Sequence, residues 1–239
     1  MSLIREIYEE YAESIGLEAG ASYLHGTPLR PVVPLDQGRG GLFVVGAYPS
    51  ARFAQIGKIA NVPVADNLGP FESERWFDGV RVREQPSARE LHDLFLAPLE
   101  LDRSECWITD LVKVFLFKPG HVEKYTDLEV TPPSGYTRDR FFELGERSVG
   151  WLVRELKVAG PQLVVTLGAE VAGVLRGIRS ASAQVKLLVP EVTTCRIGDQ
   201  EYPTMHCAHP GILMRKGDGK NPWPERHAQQ FIPALKKAL

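Results

Sequence analysis

Four stretches of the chain carry residues able to do chemistry. Gly46-Ala47-Tyr48-Pro49-Ser50 follows a short apolar run, Leu42 to Val45. Asp110 lies inside Cys106-Trp107-Ile108-Thr109-Asp110-Leu111-Val112-Lys113. Lys113, Lys118, His121 and Lys124 form a basic cluster around Pro119-Gly120, which reads either as a phosphate contact or as solvated surface. His206, Cys207 and His209 precede Pro210-Gly211-Ile212-Leu213-Met214-Arg215-Lys216. The His/Cys group invites a metal reading. Alternate residues of a strand share a face, so Cys207 and His209 would point together and His206 away. Zinc takes three or four ligands, and nothing nearby supplies the rest at a familiar spacing, so no metal is expected. Ser50 is not in a G-x-S-x-G elbow, no glycine-rich dinucleotide fingerprint follows Val45, and Leu163 to Gly168 lacks the GKS or GKT of a P-loop.

The elements that must position these residues are legible from periodicity. Leu42 to Val45 is uninterrupted, apolar and rich in β-branched residues, the pattern of a strand buried on both faces of a parallel sheet. Gly46 and Pro49 end it. Ligand crevices of open α/β sheets lie past the carboxyl ends of strands, so residues 46 to 50 are expected to floor a pocket; an ordinary strand-to-loop turn is the plainer alternative. Residues 106 to 113 give a second strand with Asp110 near its carboxyl end, where ligand groups collect and where cap and turn aspartates are also common. Leu163 to Gly168 is a third strand, leading into a helix from Ala169 to Leu175. Strand-like pieces around Gly198-Asp199 place His209 at the end of another. Amphipathic helices are expected over 2–17, 87–99 (Ser87 as N-cap, Glu90 completing a capping box), 137–157 and 229–239. Residues 26 to 41 form a lead-in loop. Residues 51 to 86 read as long and irregular, with Phe71, Trp76 and Phe77 either satellite core or, for one of them, a stacking surface for a planar ligand.

Composition bounds the rest. The 239 residues and net charge of −2 fit one large α/β domain or two small ones with no global basic field, so a nucleic-acid partner would need a local patch. Cysteines 106, 195 and 207 form no CxxC pair and read as reduced thiols of a cytoplasmic protein. The first residues do not read as a signal peptide, and no apolar run approaches membrane-spanning length.

Taken together, Gly46 to Ser50, Gly69-Pro70-Phe71, Ile108 to Lys113, Leu163 to Ala169 and His209 to Arg215 resemble, in order and spacing over roughly residues 40 to 220, the uracil-DNA glycosylase superfamily. The resemblance implies a single domain over 1–239, with 1–40 an N-terminal helix and lead-in loop. It implies a three-layer α/β/α fold around a mainly parallel four-stranded sheet. The activity implied is hydrolysis of the N-glycosidic bond of a damaged base flipped out of single- or double-stranded DNA. His209 then matches the donor to the base oxygen and Phe71 the residue stacking on the base. Main-chain groups of Gly46, Ala47, Tyr48, Pro49 and Ser50 line the floor, and Arg215, Lys216 and Lys113 contact DNA.

Two departures bear on activity. Many members carry a carboxylate or amide where this chain has Ala47 and Tyr48, and neither can act as a base near neutral pH. Asp110 stands where the family often has Asn. Ionised, it only accepts hydrogen bonds and favours an amino-bearing edge, unless burial keeps it protonated; alternatively it positions the water that the first motif cannot. No cofactor is implied, and three separated cysteines do not make an iron–sulfur site. The alternative function is a catalytically silent nucleobase- or nucleic-acid-binding module of the same fold.

Overall fold

The computed structural model describes residues 2–18, 20–215 and 220–239. The chain is a mixed α/β protein around a central, mostly parallel sheet. In chain order its strands are β1 (Leu42–Gly46), β2 (Ala51–Ile56), β3 (Ile59–Asp66), β4 (Arg75–Phe77), β5 (Val82–Glu84), β6 (Trp107–Asp110), β7 (Leu163–Leu167), β8 (Thr193–Ile197) and β9 (Gln200–Cys207). The central sheet has the order β6-β1-β7-β9-β8. Its first four strands are parallel, as expected. A fifth, β8, is added antiparallel at the edge, because Gly198, at φ 61°, turns the chain straight back from β8 into β9.

Alternation along the buried strands builds two cores. Phe43 and Val45 of β1 face one layer, where α1 (Leu3–Ser14) contributes Ile7 and Tyr11 and a long later helix contributes Trp151 and Leu152. Leu42 and Val44 face the other, with Leu91, Phe95, Phe231 and Leu235. That second layer is two interrupted helices. One runs through α2 (Pro86–Leu91), a π turn at His92–Leu96 and α3 (Ala97–Leu99). The long helix of the first layer is α5 (Phe141–Ala159), stopped at left-handed Gly160. Between α3 and α5 lies α4 (Pro119–Asp127), and after β7 come α6 (Ala169–Leu175), α7 (Ala181–Val185) and, after β9, α8 (Pro210–Leu213). The second interrupted helix is α9 (Trp223–Arg226), a π turn at His227–Phe231 and α10 (Ile232–Ala238). His227 Nε2 meets the Leu94 carbonyl at 2.8 Å, joining the two π turns.

Three local expectations are corrected. Residues 51 to 86 are not irregular but form two antiparallel hairpins, β2–β3 and β4–β5, turned at Gly57 (φ 57°) and Gly79 (φ 99°). The basic cluster around Pro119-Gly120, expected in a loop, lies partly in a helix: His121 and Lys124 belong to α4, and Pro119 supplies its first residue, where a missing N–H costs nothing. Ser87 does not cap its helix, which starts one residue earlier at Pro86; its hydroxyl accepts from the Gln85 amide at 3.2 Å.

Parallel register sets the site. Gly46 pairs with Asp110 across β1–β6, and Leu167 with Cys207 across β7–β9. The four parallel strands therefore end together, and the loops leaving them meet at one edge of the sheet. Among the described residues no helix is long and apolar enough to cross a membrane.

Candidate functional site

Those loops enclose a cavity of about 690 Å³, within the usual size of small-molecule sites. Ala47, Tyr48, Pro49 and Ser50 line it from the end of β1. Phe71 enters from the loop after β3, Asp110 from the end of β6, and His209 and Arg215 from the two ends of α8.

Gly46 lies beneath the floor. A Cβ there would come within 2.1 Å of Asp110 Oδ1 and 2.7 Å of Phe71 Cε2, so the glycine lets both side chains pack onto the backbone. Phe71, 8 % exposed, is held at φ 54°, a left-handed conformation that costs a bulky residue about 1–3 kcal/mol. Its carbonyl accepts from Arg103 Nη1 at 2.9 Å, and Arg103 pairs with Asp36 at 2.5 Å, which fixes the turn. Its ring lies 6.4 Å from that of His209, tilted by 38°.

His209 precedes Pro210 and caps α8: its Nδ1 accepts the Gly211 N–H at 3.0 Å. An accepting Nδ1 leaves the proton on Nε2, so the neutral ring is a donor there. Burial, then Arg138, Lys118 and Arg215, push its pKa down to about 4, so it stays neutral at physiological pH.

Asp110 is 3 % exposed, and burial raises its pKa to about 7; Lys113 opposes the shift and Glu155 adds to it. The folded protein therefore holds a proton between about pH 4 and 7 that the unfolded chain has lost. Stability falls as pH rises through that window, and the cost is fully present above it. Asp110→Asn is expected to stabilise the protein by about 2–4 kcal/mol at pH 8 and by little near pH 4. Urea unfolding at the two pH values checks this; equal effects at both would mean that the carboxyl is solvated.

Tyr48 is not a free phenol. Its hydroxyl takes a hydrogen bond from Arg138 Nη1, whose other nitrogen pairs with Glu170 at 2.5 Å. Burial raises the Tyr48 pKa, which keeps it protonated. Arg138 carried no sequence signal; it sits in a turn before α5, and tertiary packing alone brings it to the cavity. Asn67, Gln85 and Gln184 also line the cavity unforeseen.

Lys113 is a correction. Expected at DNA, it is fully buried and pairs with buried Glu155 at 2.7 Å. Its Nζ also donates to Thr109 Oγ1 and to the Asp110 carbonyl, each at 2.6 Å. Three residues past Asp110, the Lys113 N–H already donates to the buried Tyr11 hydroxyl of α1 at 2.9 Å, so the residue lies in the core and not at the cavity mouth. Lys118 does reach the cavity, while Lys124 donates to the Asn61 carbonyl at 3.2 Å. Lys216 lies outside the described residues. His206 Nδ1 meets Thr166 Oγ1 at 2.8 Å and its Nε2 accepts from Arg176 at 3.3 Å, so both ring nitrogens are used by the protein. Among the described residues no group of three or more His, Cys, Asp or Glu side chains is placed to hold a metal ion.

No model of a known family matches the chain, and no curated protein sequence matches it.

Proposed function

We propose that the protein is a DNA-base glycosylase-like hydrolase, acting on uracil or another deaminated base flipped out of DNA. The observation carrying this reading is the meeting, in one cavity, of a neutral histidine donor, a carboxylate and an aromatic face: His209, Asp110 and Phe71. Breaking the C1′–N bond sends its electron pair to the base and leaves positive charge on the sugar. His209 Nε2–H donates to the base carbonyl oxygen as negative charge develops there. Phe71 stacks on the base. Ionised Asp110 orients a water and takes its proton as the oxygen bonds to C1′. The carboxylate thus comes from the end of β6, which answers the absence of one at Ala47 and Tyr48.

Arg215 and Lys118 at the cavity supply local positive charge for phosphate in a chain with no basic field. The three cysteines are buried free thiols, in keeping with a reducing, cytoplasmic setting. The test is abasic-site formation in a panel of single-stranded and duplex oligonucleotides, each with one uracil, hypoxanthine, xanthine or alkylated base. Cleavage of at least one supports the reading. Binding without cleavage of any would favour a silent nucleobase-binding module. No salt-dependent DNA affinity would point to a small-molecule hydrolase.

A further inference from the structure

Two members of the basic cluster around Pro119-Gly120 are engaged elsewhere in the fold. Lys113 is buried against Glu155, and Lys124 donates to the Asn61 carbonyl. Lys118 and His121 remain, and both line the cavity. The His121 ring is partly exposed but held in one place. It stacks on the Phe115 ring, with centroids 5.6 Å and planes 26° apart, and lies 5.4 Å from the Phe53 ring. Its Nδ1 meets the Lys118 backbone N–H at 3.2 Å. A backbone N–H can only donate, so Nδ1 accepts and the proton of the neutral ring sits on Nε2. Burial, then Lys118 and Lys124, lower the His121 pKa to about 4, which keeps the ring neutral near pH 7.

His121 Nε2 has no hydrogen-bond partner among the described residues, and it is not one of the chain's unpaired polar atoms that are sealed from solvent. It is an open donor at the cavity, as His209 Nε2 is. Lys118 is exposed, and its ammonium makes no ion pair or hydrogen bond among the described residues. Partial desolvation, then the Arg138 charge, lower the Lys118 pKa; Glu170 opposes the shift and Arg215 adds to it. Three cationic side chains are thus gathered at one part of the cavity. The carboxylate among them, Glu170, pairs with Arg138 at 2.5 Å. Like charges held this close repel one another, and an anion among them relieves the repulsion.

We infer that Lys118 and His121 form a phosphate subsite: the Lys118 ammonium and the His121 Nε2–H hold the oxygens of a phosphate carried by the sugar of the bound nucleotide. This rests on the nucleobase reading and deepens it, since it makes the substrate a nucleotide rather than a free base or a nucleoside. The subsite adjoins the base pocket, because both His121 and His209 feel the Lys118 charge. Base and phosphate are then held at two places, which fixes the sugar and its glycosidic bond between them. A backbone phosphodiester and the monoester of a free nucleotide offer the same oxygens to these two donors.

The experiment is equilibrium binding, by fluorescence anisotropy at fixed salt, of single-stranded oligonucleotides with one non-cleavable 2′-fluoro-arabino nucleotide. The base is uracil or hypoxanthine, with thymine and adenine as the undamaged controls. Methylphosphonate replaces one phosphate at a time, which removes the charge and keeps the size. In wild type, neutralising one linkage beside the target nucleotide is expected to weaken binding about tenfold or more, and neutralising distant linkages much less. Lys118→Met and His121→Asn each cut that penalty below about threefold. Asparagine keeps an acceptor for the Lys118 N–H and withdraws the Nε2 donor. His121→Gln, whose amide reaches as far as Nε2, restores the penalty, which a merely structural role would not require. A nucleoside 5′-monophosphate is compared with its nucleoside. Tighter binding of the monoester, lost in Lys118→Met, without any linkage-specific penalty would support the subsite and assign it to a free nucleotide. A penalty unchanged in both variants, or variants that weaken every oligonucleotide alike, would overturn the inference and leave the nucleobase reading standing. Absence of any base-dependent binding by wild type would overturn both.

Discussion

Replacing His209 with alanine is expected to slow base release about 10²–10³-fold, the loss typical of removing one donor aimed at a developing oxyanion. The substitution also removes the cap of α8, since His209 Nδ1 accepts the Gly211 N–H. That costs about 1 kcal/mol of stability and confuses the interpretation. His209→Asn separates the two effects. Asparagine is among the best N-cap residues, so the helix start keeps its acceptor, while the shorter side chain withdraws the Nε2 donor. His209→Asn is therefore expected to keep a near-wild-type unfolding midpoint and to lose rate about as much as alanine does. Single-turnover kinetics beside urea titrations check it. A His209→Asn protein that cleaves at the wild-type rate would remove histidine from the chemistry.

The largest effect on stability is expected at Lys113. Its ammonium is fully buried against Glu155, Thr109 and the Asp110 carbonyl. The Glu155 carboxylate also accepts from Trp107 Nε1 at 3.1 Å. Lys113→Met leaves Glu155 as an unpaired buried charge, a loss of about 3–5 kcal/mol. Adding Glu155→Gln removes the charge and keeps an acceptor for the indole, so the double variant should recover most of the loss. A denaturant-based double-mutant cycle measures the coupling; additive losses would show that the two groups are not a pair. Because Lys113 also opposes the rise in the Asp110 pKa, the single variant should shift the titration of Asp110 further up.

The sheet was readable from its two central parallel strands, each a short apolar run rich in β-branched residues and ended by a glycine: Leu42 to Gly46 and Leu163 to Gly168. His209 and Asp110 could be placed because a residue at the carboxyl end of such a strand has few other places to go. The hairpins in 51–86 were missed although Ile56-Gly57-Lys58-Ile59 holds a two-residue turn between apolar strands, a signal outweighed by the prolines and glycines around it. Lys113 misled for a different reason. Residue type argued for solvent, but burial of a lysine depends on a partner 42 positions away in sequence, and no local pattern reveals Glu155. Arg138 was unseen for the same reason: it acquires meaning only from what the fold sets beside it.

Hydrolysis of a glycosidic bond releases two products, and the free base is the one that distinguishes chemistry from binding. Oligonucleotides carrying one deaminated base are incubated with the protein at pH 6 and pH 8, and released free base is quantified by mass spectrometry against abasic sites. Intact base and abasic site are expected in equal amounts. Release should be faster at pH 8, where Asp110 is ionised and His209 still neutral, and lost in His209→Asn. Tight, base-dependent binding with no free base released at either pH would contradict the hydrolase and leave a recognition module in its place.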